Sequence, residues 1–425
     1  MKKRTLKQSS INSFLDGPKR IKKKFDPLLV DQYLDEHVWV MIIKFLPNRD
    51  VLTMRRVSKF IFQCACQVPM KIQFSKLSTF NELLNSSIKH LEYLCIPSYI
   101  SEDCKQFLKS EKFQFLRKLE MECMDPSQLL SLCTSNMLSN VRELKIVVDD
   151  HNQYLEPLFQ SNCFLNLEKI TVNSYFHEIC YWPAVVDGQL LKNVKTLQVL
   201  NNFHWQDVDT LHLVQGKYFQ NITELTLDCP SLTCESIRTI ANSNADLRVF
   251  DVIGKINFNT ALDFITESSV FANLHSLAFS QGETYGPVKI STFSNFIKRL
   301  RCEMQKIEVP LDTMDDQTIK QLVCHPYTQK MSHLLIPSTT SRITVEGLKA
   351  IANWQTKNLR CICLTLCEPF IDTENFEEFL DDLECSVFRS TLENVTLDYA
   401  PVDCISRLTT ILKHSEVIVY SDTTV

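Results

Sequence analysis

One apolar pattern, L-x-x-L-x-L with conservative exchanges, recurs twelve times between Leu91 and Leu397 and dictates what this chain can fold into. Its first positions fall at Leu91, Leu116, Val141, Leu167, Val194, Ile222, Leu247, Leu274, Met304, Met331, Leu359 and Leu392, and all but two of the intervals are 25–28 residues. The fourth and sixth positions are apolar as well, from Leu94 and Ile96 in the first copy to Val395 and Leu397 in the last. Alternation of this kind makes a short strand with one buried face. Between the strands the period shifts to about 3.6, as in Ile237, Ile240 and Ala241 or Leu348, Ile351 and Ala352, so each unit predicts one amphipathic helix. A lone strand–helix unit cannot bury its own apolar face, whereas stacked units share a continuous core. The expected fold is therefore an α/β solenoid of about twelve repeats.

The repeat unit resembles that of F-box leucine-rich-repeat proteins, most closely over residues 343–364 (ITVEGLKAIANWQTKNLRCICL) and 231–252 (SLTCESIRTIANSNADLRVFDV). That family usually has Asn or Cys at the ninth position, to satisfy backbone groups in the turn. Here only Asn202 and Cys367 fit, while Tyr99, Met124, Pro230 and Gly282 occupy it elsewhere. Irregular turns are the expectation. The resemblance implies a leucine-rich-repeat solenoid over 71–425.

Residues 34–62, LDEHVWVMIIKFLPNRDVLTMRRVSKFIF, precede the repeats. Leu34, Val38, Trp39, Ile42 and Leu46 form a helical stripe that Pro47 stops, and a second helix comes after it with Val51 and Val57 on its apolar side. This segment resembles an F-box, with Asp35 in place of the usual proline and His37 in place of the usual acid. The resemblance implies a small helical module over 29–70 in which Leu34, Val38, Trp39, Ile42, Leu46, Pro47, Val51 and Val57 bind the SCF adaptor protein. An F-box ahead of leucine-rich repeats further implies the substrate receptor of a cullin-RING ubiquitin ligase. A receptor of that type does no covalent chemistry itself. Two alternatives are a helical cap on the solenoid and a non-degradative F-box scaffold that works without cullin.

The first 28 residues hold nine basic side chains against two acidic ones, a net +7, which leaves −12 on the rest of a chain of net charge −5. So charged and weakly apolar a segment predicts a disordered tail. Within it, Gln8, Ile11, Phe14 and Leu15 have the spacing of the PIP box, the peptide through which proteins bind the sliding clamp PCNA. One 3₁₀ turn would set Ile11, Phe14 and Leu15 side by side as an apolar plug. Leu15 stands where that motif has its second aromatic, and a solvated linker is the plain alternative. KKR at 2–4 and KRIKKK at 19–24 resemble a bipartite nuclear-import signal, so the expected location is the nucleus, otherwise the cytoplasm. Direct nucleic-acid binding is a rival use of these charges and would be non-specific and salt-dependent.

Composition narrows the chemistry. Seven glycines in 425 residues leave no phosphate-cradling loop, and neither G-x-S-x-G nor H-E-x-x-H occurs. Of 17 cysteines the tightest group is Cys361, Cys363 and Cys367, with no His nearby in sequence to complete a zinc site. The expectation is a non-enzyme without metal or cofactor, its thiols free in a reducing compartment. No apolar run approaches 18 residues, so no membrane contact is expected.

In such a solenoid the strands line the concave surface. Counting the fifth and seventh positions of each copy as outward gives Glu120, Glu122, Asp228, Asp251, Glu308 and Asp398 against one cation, Lys145. These six carboxylates are the candidate target-binding residues. They predict an acidic lane that captures a basic segment of a protein target, unless they only keep the sheet soluble.

Overall fold

The computed structural model describes residues 70–73, 91–96, 111–122, 138–148, 158, 160–174, 189–281, 287–366, 372–398 and 400–420. The chain divides into two compact units, Met1–Lys71 with Ser86–Leu91 and Ile72–Asn85 with Glu92–Val425. Nearly all described residues belong to the second. The candidate F-box and the basic tail lie outside them.

Fourteen strands form one sheet in near-sequential order. They are β1 (Met70–Gln73), β2 (Leu91–Ile96), β3 (Lys118–Glu122), β4 (Glu143–Val148), β5 (Lys169–Ser174), β6 (Thr196–Leu200), β7 (Glu224–Asp228), β8 (Val249–Gly254), β9 (Ser276–Gln281), β10 (Lys306–Glu308), β12 (His333–Ile336), β14 (Cys361–Thr365), β15 (Asn394–Asp398) and β16 (Glu416–Tyr420). Every pairing from β2 onward is parallel, and the fourth position of each copy meets the fourth of the next, Leu119 with Leu144 and Leu225 with Phe250 for example. The first, fourth and sixth positions of all twelve copies are buried, none more than 6% exposed. A one-residue slip would turn the whole apolar set outward, so burial locks the register. The second-position carbonyls lock it further. Arg142 O accepts from the N–H groups of both Glu168 and Lys169, and His275 O from those of Gln305 and Lys306.

Eight α-helices fall among the described residues: α1 (Asp207–Gln215), α2 (Cys234–Ala241), α3 (Phe258–Glu267), α4 (Ile290–Lys298), α5 (Asp316–Cys324), α6 (Val345–Ala352), α7 (Thr373–Cys385) and α8 (Ile405–Ile411). Each packs on the next. Five of them start on a residue whose side chain caps the helix. Thr233 accepts from Glu235 N–H, Asp315 from Thr318 N–H, Thr344 from Glu346 N–H and Asp372 from Asn375 N–H. Ile237 and Ile240 of α2, and Leu348, Ile351 and Ala352 of α6, face the core as their spacing predicts, whereas Ala241 is only half-buried.

Two polar ladders tie repeat to repeat. The side-chain amides of Asn140, Asn166, Asn193 and Asn221 donate to the carbonyls of Gln114, Ser139, Leu165 and Lys192 at 2.6–2.9 Å. Each asparagine sits just before the first position of its copy and reaches one residue short of its counterpart in the preceding copy. At the ninth position Asn202 is buried and its side-chain oxygen accepts from His204 N–H at 3.1 Å, as expected there, while Cys367 lies outside the described residues. The second ladder joins helix starts. Asp207 accepts from the Thr233 hydroxyl at 2.7 Å and the Ser236 hydroxyl at 2.6 Å, and Asp316 from Thr344 N–H at 2.8 Å and its hydroxyl at 2.6 Å.

Two features depart from a plain twelvefold repeat. After Pro310 and Pro337 the chain forms β11 (Leu311–Asp315) and β13 (Ser338–Arg342), which pair in parallel as a second sheet leading into α5 and α6. A further strand, β16, extends the main sheet past the twelfth copy, pairing Val417 with Val395. Its first-position residue is His414 and its Val417 and Val419 are only half-buried, so the apolar signature fades where the core thins.

Candidate functional site

Side chains that alternate with the buried fourth and sixth positions emerge on the sheet's other face, and three per strand do so: the third, fifth and seventh. The register arranges them in rows across the strands. At the β2–β4 end, Glu120 accepts from the Tyr93 hydroxyl at 3.0 Å and pairs with Lys145, while Lys118 stands 5.5 Å from the Tyr93 ring centre and 3.6 Å from Glu143. Desolvation by burial pushes the Glu120 carboxyl up, but the hydrogen bonds from Lys145 and Tyr93 and the charges of Lys145 and Lys118 bring it down, to a net lowered value. Burial and the bond to Glu120 raise the Tyr93 phenol. Glu120 is therefore spoken for by cations of this chain.

Over β5 and β6 the fifth and seventh positions are uncharged. The Thr171 hydroxyl donates to Gln198 Oε1 at 2.9 Å and the Asn201 amide to Asn173 Oδ1 at 3.0 Å. Asn201 has φ 53°, a left-handed conformation that asparagine tolerates better than most residues. Thr171 and Asn173 are buried although their rows point outward.

Asp228, Asp251 and Glu308 then bring an acidic stretch across β7–β10. Ala278 pairs with Asp251 on one side and Glu308 on the other, which sets the two carboxylates two strands, roughly 9.5 Å, apart in one row. Lys306 lies 2.8 Å from Glu308. The Asp251 Oδ1 is buried without a hydrogen-bond partner. Desolvation accordingly raises the Asp251 carboxyl; Lys306 draws it down, and Glu308 and Asp228 push it up again.

From β12 to β16 the rows turn to soft and apolar side chains. Leu335, Cys363, Thr396 and Ile418 share one row, and His333, Cys361 and Asn394 another. Burial lowers the His333 imidazole, with Lys306 and Arg360 adding to the effect, and burial raises the Cys361 thiol. No group of three or more His, Cys, Asp or Glu side chains suited to a metal ion occurs among the described residues.

The structure thus brings Asp228, Asp251 and Glu308 together and leaves Glu120 on the far side of β4–β6. Glu122 and Asp398 end β3 and β15. One correction concerns charge. Lys145 is not the only cation on this face, because the third position is outward too and contributes Lys118, Lys169 and Lys306. Side chains at i, i+2 and i+4 share a strand face, so a count of the fifth and seventh positions alone misses a row. The third position also adds the carboxylates Glu143 and Glu224, so both signs recur along the face, and Asp228, Asp251 and Glu308 are the acidic group that lies close together. Tyr93, Lys118 and Lys306, at the third position, are the side chains that this count overlooks, and Thr171 and Gln198, at the fifth, are uncharged and drop out of a tally of charges; the same repeat frame locates all five. Leu34, Val38, Trp39, Ile42, Leu46, Pro47, Val51 and Val57, like Gln8, Ile11, Phe14 and Leu15, lie outside the described residues.

No protein-family model matches the chain, and no curated protein matches it in sequence. Among solved structures, a chain from the crystal structure of the Rad7 and Elc1 complex of yeast aligns over 85% of this chain and 88% of its own length, with a TM-score of 0.51 and 15% identity. At that identity the likeness is one of fold, and what the two chains have in common is the α/β repeat array.

Proposed function

We propose that this chain is the substrate-recognition subunit of an SCF-type cullin-RING ubiquitin ligase. Residues 29–70 serve as the F-box that docks the adaptor, and the leucine-rich-repeat solenoid over 71–425 captures the protein target. The observation that carries the reading is the pairing of an F-box-like sequence with a long parallel array whose outward face is rich in polar and charged side chains. A similar fold occurs in a structure in which two different proteins, Rad7 and Elc1, form a complex, and this supports a partner-binding role. The chain contributes position and not chemistry: it holds the target near the ubiquitin donor, and proximity raises the transfer rate. Asp228, Asp251 and Glu308 select a basic segment of that target. The tail directs the complex to the nucleus and, through Gln8, Ile11, Phe14 and Leu15, to PCNA on chromatin.

The second reading, a scaffold without cullin, shares the adaptor contact and differs in whether cullin joins the adaptor. Affinity purification of the full chain and of a Leu46→Ala/Pro47→Ala variant, probed for adaptor and cullin, tests both. The receptor reading expects both proteins with the parent chain and neither with the variant, since truncating Leu46 removes about 2–5 kcal/mol of burial. Adaptor without cullin turns the assignment to the scaffold; adaptor retained by the variant removes the F-box.

A further inference from the structure

We infer that the target segment is an extended peptide with a basic residue and, four or six residues away, a large apolar one, the first held by Asp251 and Glu308 and the second seated over Cys363 and Thr396. The inference rests on the reading of the outward sheet face as the target surface and specifies what that surface selects.

One row supplies both halves. The fifth positions run Asp251, Ala278, Glu308, Leu335, Cys363, Thr396 and Ile418 from β8 to β16, each paired with the next. Beyond Glu308 the row carries no charge. Leu335, Cys363 and Thr396 are half-buried there, and Ile418 is 39% exposed. Cys363 and Thr396 are small beside Leu335 and Ile418, so the row dips between two larger apolar side chains. An apolar side chain laid in that dip shields both of them from water.

Charge at the other end fixes the kind of partner. Asp228 and Glu308 both act on the Asp251 carboxylate, and the Asp251 Oδ1 is buried without a hydrogen-bond partner. Of the three acids only Glu308 has an ion pair among the described residues, with Lys306 at 2.8 Å. Three carboxylates against one lysine leave this end negative, and a Lys or Arg from a partner restores the balance.

The spacing follows from the sheet. From midway between Asp251 and Glu308 to midway between Cys363 and Thr396 is three and a half strand intervals, roughly 17 Å at about 4.8 Å each. An extended chain advances about 3.4 Å per residue and crosses that distance in about five. Only alternate side chains face the sheet, which leaves separations of four or six. A helix fits less well: at roughly 10–12 Å across it would also cover the neighbouring row, about 7 Å away, where His333 and Asn394 carry polar groups.

Random peptides of about ten residues, displayed on phage and selected on the full chain, test this inference. Lys or Arg should be enriched four or six positions from Leu, Ile, Met or Phe, in either chain direction. Synthetic peptides of that pattern should bind about tenfold tighter than the same peptides with either residue changed to Ser, and Ile418→Ser and Asp251→Asn should each weaken them by a similar factor. Selection of basic peptides with no apolar requirement overturns the inference and leaves the acidic group as the target site. Selection of peptides without a basic residue overturns both. No enrichment, or affinity unchanged in the folded variants, also overturns it, and if Ile418→Ser does not fold, Asp251→Asn decides alone. Whether the chain recruits cullin is decided by the purification above and not by this selection.

Discussion

Asp251 shows how much a single position depends on its row. On its strand it is an ordinary outward residue, yet the register sets it between Thr226 and Ala278, with Asp228 in the next row and Glu308 beyond Ala278, and one of its oxygens is buried unpaired. Its carboxyl pKa is raised in the folded protein, so between the unfolded and folded values the native state binds the proton more readily and stability falls as pH rises. Asp251→Asn should therefore raise the unfolding midpoint at neutral pH, and the gain should vanish at acid pH, below both values. Urea titrations across that range check it. Glu120 has the opposite sign, because its lowered pKa gives stability that is lost as pH falls through the folded value. The carboxylates at both positions are legible in the sequence. Their different environments are not, since Lys118 and Lys306 reach them from the third row, and which third-row side chain neighbours which carboxylate is set by the strand pairing.

Among the elements, the strands of all twelve copies form where the apolar frame puts them, because burial of three positions per copy overrides the imperfect turns. The frame is blind to β11 and β13, whose short sequences lack a repeated pattern and whose pairing depends on the corners at Pro310 and Pro337. It also misses β16, where His414 stands in the first position. The ninth position acts as expected at Asn202, which satisfies the turn after β6, while the repeated asparagines that bond loop carbonyls precede the strand. Helix spacing is set by a similar contact. Asp316 reaches from the start of α5 to the N-cap of α6, and a Cβ at Gly347 would collide with its Oδ1. Gly347→Ala should displace that carboxylate and lose one or two capping bonds, a net destabilisation of about 1 kcal/mol despite alanine's higher helix propensity. Thermal unfolding of the variant measures it, and a stabilised variant would show that the Asp316 link contributes nothing.

Over the whole molecule, charge divides between a +7 segment and a −12 remainder. Under the proposed function the tail selects the location and the array selects the target, each without the other. A peptide spanning residues 3–24 should bind PCNA unaided, and Ile11→Ala/Phe14→Ala should abolish that binding in calorimetry while the full-length variant keeps its adaptor. Neither the tail nor the F-box-like segment belongs to the repeat pattern. Both rest on short motifs, whereas the array is specified by many weakly informative positions that agree.

Adaptor and target, on this reading, are bound by separate surfaces of one chain. Quantitative mass spectrometry of proteins that co-purify with the parent chain, with Leu46→Ala/Pro47→Ala and with Asp228→Arg/Asp251→Arg tests that most directly. The predicted result is a clean exchange: the first variant loses adaptor and cullin and keeps the target, and the second keeps adaptor and cullin and loses the target. If the second variant retained every target, or if either variant lost both sets of partners while still folded, the separation of the two surfaces would be contradicted.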